Sequence, residues 1–307
     1  MKALPWERRQ TQSGDGSELE YEVLGQGMPV LLANGLGGPR DVWTDLVRQL
    51  SDRYRFVTWN YRGLWGDPAS PALAARSVVE HARDALAVLD AEAIPRCCVV
   101  GWSMGVQAAL ELFSCAPDRV SSLVLLSGGA RVTWADGRAG PLLARLLAYS
   151  LRALRASPQL VAEGVRRGIQ SPEAFTWARR LGLIGEQVSA DEFGQITAGT
   201  VQLNLPLYVD TLQRLAHYDG RNVLARVDVP TLVIAGDRDP FTPRREVERL
   251  VHDIPGAEYL PLPGATHYVL LDEAERVNLR IEKFWNEHGY RAQQAPATSP
   301  PPPRTES

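Results

Sequence analysis

Lysine is almost missing from this 307-residue chain: of its 33 basic residues only Lys2 and Lys283 are lysines, and the arginines are spread along the whole length. With 36 acidic residues the formal net charge is −3, so there is no basic footprint to attract a phosphate backbone, and nucleic acid is not an expected partner. No glycine-rich loop is followed by the lysine that a P-loop needs. Cysteine is scarce too, at three. Cys97 and Cys98 are adjacent on a stretch that reads as a buried strand, where a disulfide between neighbours would be strained, so a reducing compartment is expected. No Cys/His cluster has ligand spacing, and neither a metal nor an organic cofactor is expected. Met1 to Arg9 lacks the apolar run of a signal peptide, and nowhere do ~18 apolar residues follow one another. The expected location is therefore the cytoplasm, with no membrane partner.

What is present is ordinary soluble-protein material, 45% hydrophobic and 22% charged, enough for one large core. Residues 1–17 read as an N-terminal extension. From Glu18 short apolar strands alternate with amphipathic helices, the signature of a mostly parallel central sheet flanked by helices. Strands are predicted at Pro29 to Ala33, Arg55 to Trp59, Cys97 to Val100 and Val120 to Leu126. Trp43, Leu46, Val47 and Leu50 lie on one face of a helix. Ser77 and Glu80 make a capping box for a second helix, with Val79, Ala82, Leu86 and Leu89 as its apolar face and Pro95 beyond its end. Val106, Ala109, Leu110 and Phe113 mark a third. The next strand, Thr231 to Ala235, comes only after roughly a hundred residues. The intervening segment, 134–222, reads as an inserted helical cap: Leu143, Leu146, Leu147, Leu151 and Leu154 keep helical spacing, and Pro158, Pro172 and Pro206 break further short helices. Thus 18–133 and 223–289 form two parts of one core, the second with a helix from Arg244, a strand near Ala257 to Leu260, and a terminal helix turning Val277, Ile281, Phe284 and Trp285 inward. The Pro-rich tail, 290–307, cannot bury enough apolar surface to fold.

Chemistry concentrates at three loops. Gly101-Trp102-Ser103-Met104-Gly105 matches G-x-S-x-G where a strand meets a helix, the setting of a nucleophile elbow. Gly101 and Gly105 avoid Cβ clashes in such a turn, and the Met104 N–H, at a helix start, is placed to bind a developing oxyanion. A second donor is needed; the loop Asn34-Gly35-Leu36-Gly37-Gly38 is its natural source, with the Leu36 amide as candidate. Ser103 is a weak nucleophile without a base, and that base needs a third group to hold its tautomer. Of five histidines, His267 alone sits in a glycine-containing loop directly after the last predicted strand. The acid is expected in Gly236-Asp237-Arg238-Asp239-Pro240, after Thr231 to Ala235, where either carboxylate could serve or simply cap a turn.

These motifs together resemble the α/β-hydrolase superfamily over about Glu18 to His288, and in particular small bacterial esterases, enol-lactonases and cofactor-free perhydrolases. The resemblance rests on the elbow, on Gly236 to Asp239 in a G-x-x-D register, on Gly264-Ala265-Thr266-His267 in a G-x-x-H register, and on the turn Asn60-Tyr61-Arg62-Gly63-Leu64-Trp65-Gly66. It implies Ser103, Asp239 and His267 as a triad, with Asp237 left to stabilise its loop. Two departures are visible: Asn34 stands where the family usually has histidine before the oxyanion donor, and Asn60 where it often has aspartate. Asparagine both donates and accepts, so loop hydrogen bonding is expected to survive in both places. The implied function is hydrolysis of a neutral ester, lactone or thioester through an acyl-enzyme, with a small-molecule acyl substrate as partner. Perhydrolysis, carbon–carbon bond hydrolysis, acyl transfer to an alcohol, and ligand binding without turnover use the same frame. Oligomeric state is not legible in these patterns.

Overall fold

In a computed structural model of the protein, residues 4–65, 77–132 and 157–290 are described, without the side chains of 158–162. The predicted helix around Leu143 to Leu154, the end of the Asn60 to Gly66 turn and the tail beyond Tyr290 lie outside the described residues. Eight strands form one sheet in the order β1-β2-β4-β3-β5-β6-β7-β8. They are β1 (Glu7–Gln12), β2 (Glu18–Gly25), β3 (Met28–Ala33), β4 (Tyr54–Trp59), β5 (Cys97–Trp102), β6 (Val120–Leu126), β7 (Thr231–Gly236) and β8 (Glu258–Leu262). The β1–β2 and β2–β4 pairs are antiparallel, and from β4 to β8 every pair is parallel.

Helices cover both faces, and the period-2 alternation of the strands decides which residue meets which layer. Leu31 and Val99 face α2 (Val78–Ala91), α3 (Met104–Cys115) and α9 (Arg244–Asp253); Val30, Leu32 and Val100 face α1 (Thr44–Leu50) and α11 (Ala274–Glu287). Cys97 and Cys98 follow the same rule. They belong to opposite cores and are free thiols, so their side chains diverge and cannot pair. On the second face Trp43, Tyr54, Phe56, Phe284 and Trp285 are almost wholly buried, and truncating such a residue to alanine costs about 3–5 kcal/mol.

The sheet begins earlier than its apolar pattern suggests: residues 7–12, read as an extension, are the edge strand β1. Five of its six residues are exposed, so neither alternation nor a buried run marks it. The buried face of α2 also differs from the expected one. Val78, His81, Ala82, Asp84, Ala85, Val88 and Leu89 point inward, while Val79 and Leu86 are only partly covered. The capping box of Ser77 and Glu80 is present, but polar residues on the inner face displaced the apolar signal. Asp84 is buried because Arg62 donates to it from Nε at 2.6 Å and from a second nitrogen, and Ser13 Oγ–H donates at 2.8 Å. Arg62 also donates to Asp15 at 2.6 Å. The arginine of the Asn60 turn thereby locks the β1–β2 hairpin onto α2.

Between β6 and β7 the elements named among the described residues after Ser157 are helices: α4 (Pro158–Ile169), α5 (Ala174–Arg180), α6 (Ala190–Val201), α7 (Leu205–Leu215) and α8 (Arg221–Leu224). Pro158 and Pro206 start helices instead of breaking them. In the first turn the missing N–H is one that has no intrahelical acceptor anyway. Asn204 N–H donates to the Leu64 carbonyl at 2.9 Å, and Leu212 and Leu215 join the core, so α7 is tied to the carboxyl edge of the sheet. Among the described residues no helix is long and apolar enough to cross a membrane.

Candidate active site

Strand β5 ends at Trp102 and α3 begins at Met104, so Ser103 alone makes the turn, with φ 58° and ψ −116°. A left-handed backbone is costly for a residue with a Cβ and persists only where its surroundings enforce it. Here they do. A Cβ on Gly101 would lie 2.3 Å from the Gly105 carbonyl oxygen, and one on Gly105 would lie 2.0 Å from that of Ala33, so only glycine lets strand and helix approach this closely. The turn raises Ser103 above the carboxyl edge of the sheet, into a cavity of about 370 Å³.

His267 follows β8, and its Nε2 lies 2.9 Å from Ser103 Oγ. Its Nδ1 lies 2.8 Å from Asp239 Oδ2. A carboxylate only accepts, so Nδ1 carries the proton and donates it to Asp239, leaving the Nε2 lone pair to accept from the serine hydroxyl. Asp239, with its side chain almost wholly buried, accepts on its other oxygen from the Phe241 and Thr242 N–H groups at 2.8 and 2.9 Å. Three donors thus converge on one buried carboxylate and fix its orientation. Asp237 is exposed and accepts instead from the Gly264 N–H at 2.7 Å, tying the acid loop to the histidine loop.

Leu36 and Met104 line the same cavity, and among the described residues neither N–H has an acceptor. The loop carrying Leu36 is anchored by Asn34, whose four hydrogen bonds are all satisfied. Its side chain donates to Thr58 Oγ1 and the Trp59 carbonyl, each at 3.1 Å, and accepts from Trp43 Nε1 at 2.6 Å; its carbonyl accepts from the Tyr61 hydroxyl at 2.6 Å. Asn60 differs: its side chain makes no hydrogen bond among the described residues, and only its N–H is used, donating to the Glu20 carbonyl at 3.2 Å.

Several residues that shape the site escape a reading by motif. Trp102, an unspecified position of the elbow, donates from Nε1 to the His267 carbonyl at 3.0 Å and packs its ring against those of His267 and Tyr268. Phe241 meets the imidazole edge-on at 5.0 Å between centroids. Gln107 on α3 donates to the Gly129 carbonyl at 2.6 Å and borders the cavity. Asp272, in α10 (Val269–Asp272), accepts from the Thr266 N–H at 2.6 Å and hydroxyl at 2.7 Å, and on its other oxygen from the Gly185 N–H at 2.9 Å. A carboxylate five residues beyond the histidine is the only sequence signal for that link. Among the described residues no three His, Cys, Asp or Glu side chains are grouped to hold a metal ion.

Comparison with known proteins agrees with this architecture. The family model of the alpha/beta hydrolase fold matches residues 28–274. The chain is 29% identical to a protein named as a carbamate hydrolase, RutD, of Azorhizobium caulinodans, over 83% of this chain and 89% of that one. It is 28% identical to a pimeloyl-[acyl-carrier protein] methyl ester esterase of Methylococcus capsulatus, over 87% and 98%. An esterase structure from Exiguobacterium antarcticum superposes with a TM-score of 0.74 at 18% identity, covering 90% of this chain and 98% of its own. With an eight-stranded, mostly parallel sheet between two helical layers and a family match across most of its length, the chain belongs to the α/β-hydrolase fold family and is a hydrolase of that family.

Proposed function

We propose that the chain is a serine hydrolase that cleaves an ester, lactone or thioester through an acyl-enzyme on Ser103, with His267 as general base, Asp239 as its orienting carboxylate, and the Leu36 and Met104 amides as oxyanion donors. The observation that carries this reading is the unbroken hydrogen-bond line from Asp239 through His267 to Ser103, ending in a cavity. As Oγ attacks the carbonyl, Nε2 takes its proton; the charge developing on the carbonyl oxygen is held by the two amides; the imidazolium, stabilised by Asp239, protonates the leaving group. Water then repeats the sequence on the acyl-enzyme. The names of two relatives, one a carbamate hydrolase and one a methyl ester esterase, support a carbonyl substrate of the ester or carbamate kind.

A fluorophosphonate probe tests the assignment. Wild type is expected to be labelled at Ser103, and Ser103→Ala to lose both labelling and hydrolysis of p-nitrophenyl acetate while keeping the wild-type melting temperature. What activity remains is that of binding and the oxyanion hole, roughly 10³–10⁴ over water in triad enzymes. Labelling of another residue in Ser103→Ala, with hydrolysis retained, would overturn it.

A further inference from the structure

The Ser103 cavity has a neighbour. A second cavity of about 240 Å³ lies beneath the helices inserted between β6 and β7, lined by Ile169, Val201 and Leu203, and it shares Leu36, Tyr208 and Tyr268 with the first. These three residues line both cavities, and we call them the neck between the two. Leu36 is the residue whose amide we assign to the oxyanion, so a carbonyl held there would lie beside both cavities. Tyr268 directly follows His267 and packs at a tilt against Trp102, 5.1 Å between centroids. Tyr208, on α7, abuts the oxyanion loop: a Cβ on Gly37 would lie 2.7 Å from its ring.

The hydroxyls make this neck unusual. Neither the Tyr208 nor the Tyr268 hydroxyl has a partner among the described residues, yet neither is among the side-chain atoms sealed away without one. Both side chains are half-buried and border the two cavities. A neck that only had to pass hydrocarbon would be served by phenylalanine; each phenol instead opens on cavity space, where an oxygen that enters can accept from it. Burial pushes Tyr268 up to about 12 and raises Tyr208 as well, so both are neutral phenols at pH 7, able to donate. No charged side chain is shared between the chambers, and the one charged residue described in the second chamber, Arg166, pairs with Glu163 at 2.6 Å. A carboxylate or an ammonium stalled in the neck would lose its hydration with no counter-charge.

We propose that the second chamber is a substrate subsite and that Tyr208 and Tyr268 are its specificity-determining residues: the substrate carries, on one side of the scissile carbonyl, an apolar arm interrupted by a neutral carbonyl oxygen, ketone or amide, that accepts from the tyrosine pair while the rest of the arm fills the chamber. The inference rests on the serine-hydrolase reading of Ser103 and adds the substrate class to it.

Matched substrates test it. p-Nitrophenyl hexanoate is compared with its 4-oxo and 5-oxo derivatives, and hexyl acetate with its oxo counterparts, by kcat/KM. In one of the two series wild type is expected to prefer the oxo compound by roughly 3- to 10-fold, the worth of one neutral hydrogen bond. Tyr208→Phe and Tyr268→Phe should bring that ratio towards 1. The ratio is internal to each variant, so a general loss of activity or folding does not imitate the effect. Leu203→Trp, which fills the chamber, should penalise hexanoyl relative to acetyl esters. Ser103-dependent hydrolysis with no oxo preference in either series, or a preference that persists in the double phenylalanine variant, would overturn the neck alone. Hydrolysis that does not depend on Ser103 would overturn both readings.

Discussion

Asp237 and Asp239 stand two residues apart in one loop, and their surroundings separate their roles. Asp239 is buried, receives two backbone N–H groups and faces Nδ1 of His267; Asp237 is exposed and holds the Gly264 N–H. Asp239→Asn is expected to lower kcat by up to about 10⁴ with little change in KM, because an amide side chain permits the wrong imidazole tautomer. Asp237→Asn, which keeps an acceptor oxygen for Gly264, should stay within a few-fold of wild type. Steady-state kinetics of both variants on one activated ester, with thermal melts as a folding control, decide the matter: a crippled Asp237→Asn beside a near-normal Asp239→Asn would reverse the assignment. The register Gly236 to Asp239 was legible in the chain, whereas the choice between the two acids of one loop on chemical grounds was not, since each can cap a turn and only their partners in space tell them apart.

At the scale of elements, Asp272 joins the histidine loop to the inserted helices, through Thr266 on one side and Gly185 on the other. Removing the carboxylate leaves two buried N–H groups and a hydroxyl without acceptors, which costs about 1–3 kcal/mol for each group left unsatisfied. Asp272→Ala is therefore expected to melt several degrees below wild type and to lose kcat through misplacement of His267. Its kcat should fall with unchanged fluorophosphonate labelling stoichiometry, read by mass spectrometry at a temperature where the fold is intact. Equal kcat for variant and wild type would show that Trp102 and Asp239 alone position the ring. This link joins residues 87 apart, so nothing local announces it. The helices α3 and α11, in contrast, were readable because their inward faces are apolar at helical spacing; α2 was misread by one position because His81 and Asp84 occupy its inner face.

Across the whole molecule the buried charge at Arg62 and Asp84 sets an acid limit on stability. Burial by itself would raise the Asp84 carboxyl, but the neighbouring His81 ring, the Arg62 guanidinium and the Ser13 hydroxyl outweigh it and hold it below the usual carboxylate range. A group whose folded pKa lies below its unfolded value of about 3.9 contributes stability that is complete above roughly pH 5 and is lost as pH falls through the folded pKa. Asp84→Asn leaves Arg62 without its main partner and is expected to cost about 3–5 kcal/mol at pH 7. The gap in melting temperature between wild type and Asp84→Asn should narrow as pH drops below about 4. A gap that stays constant from pH 7 to pH 3 would mean that Asp84 contributes packing and not charge.

The parallel core from β3 to β7, the elbow at Ser103 and the histidine loop at His267 were determined by the sequence itself, because buried parallel strands are continuous apolar runs and because a G-x-S-x-G between strand and helix admits few other structures. The edge strand β1 was not, since an exposed strand paired on one side carries no apolar period. Nor were the contacts of Trp102, Asp272 and Tyr208. Trp102 lies 165 residues from its acceptor His267, and Tyr208 reaches the loop at Gly37 across more than half the chain. What a side chain does at such a distance depends on which strands and helices are neighbours in space, and that is decided by packing the whole sheet against its helices, which no local pattern contains.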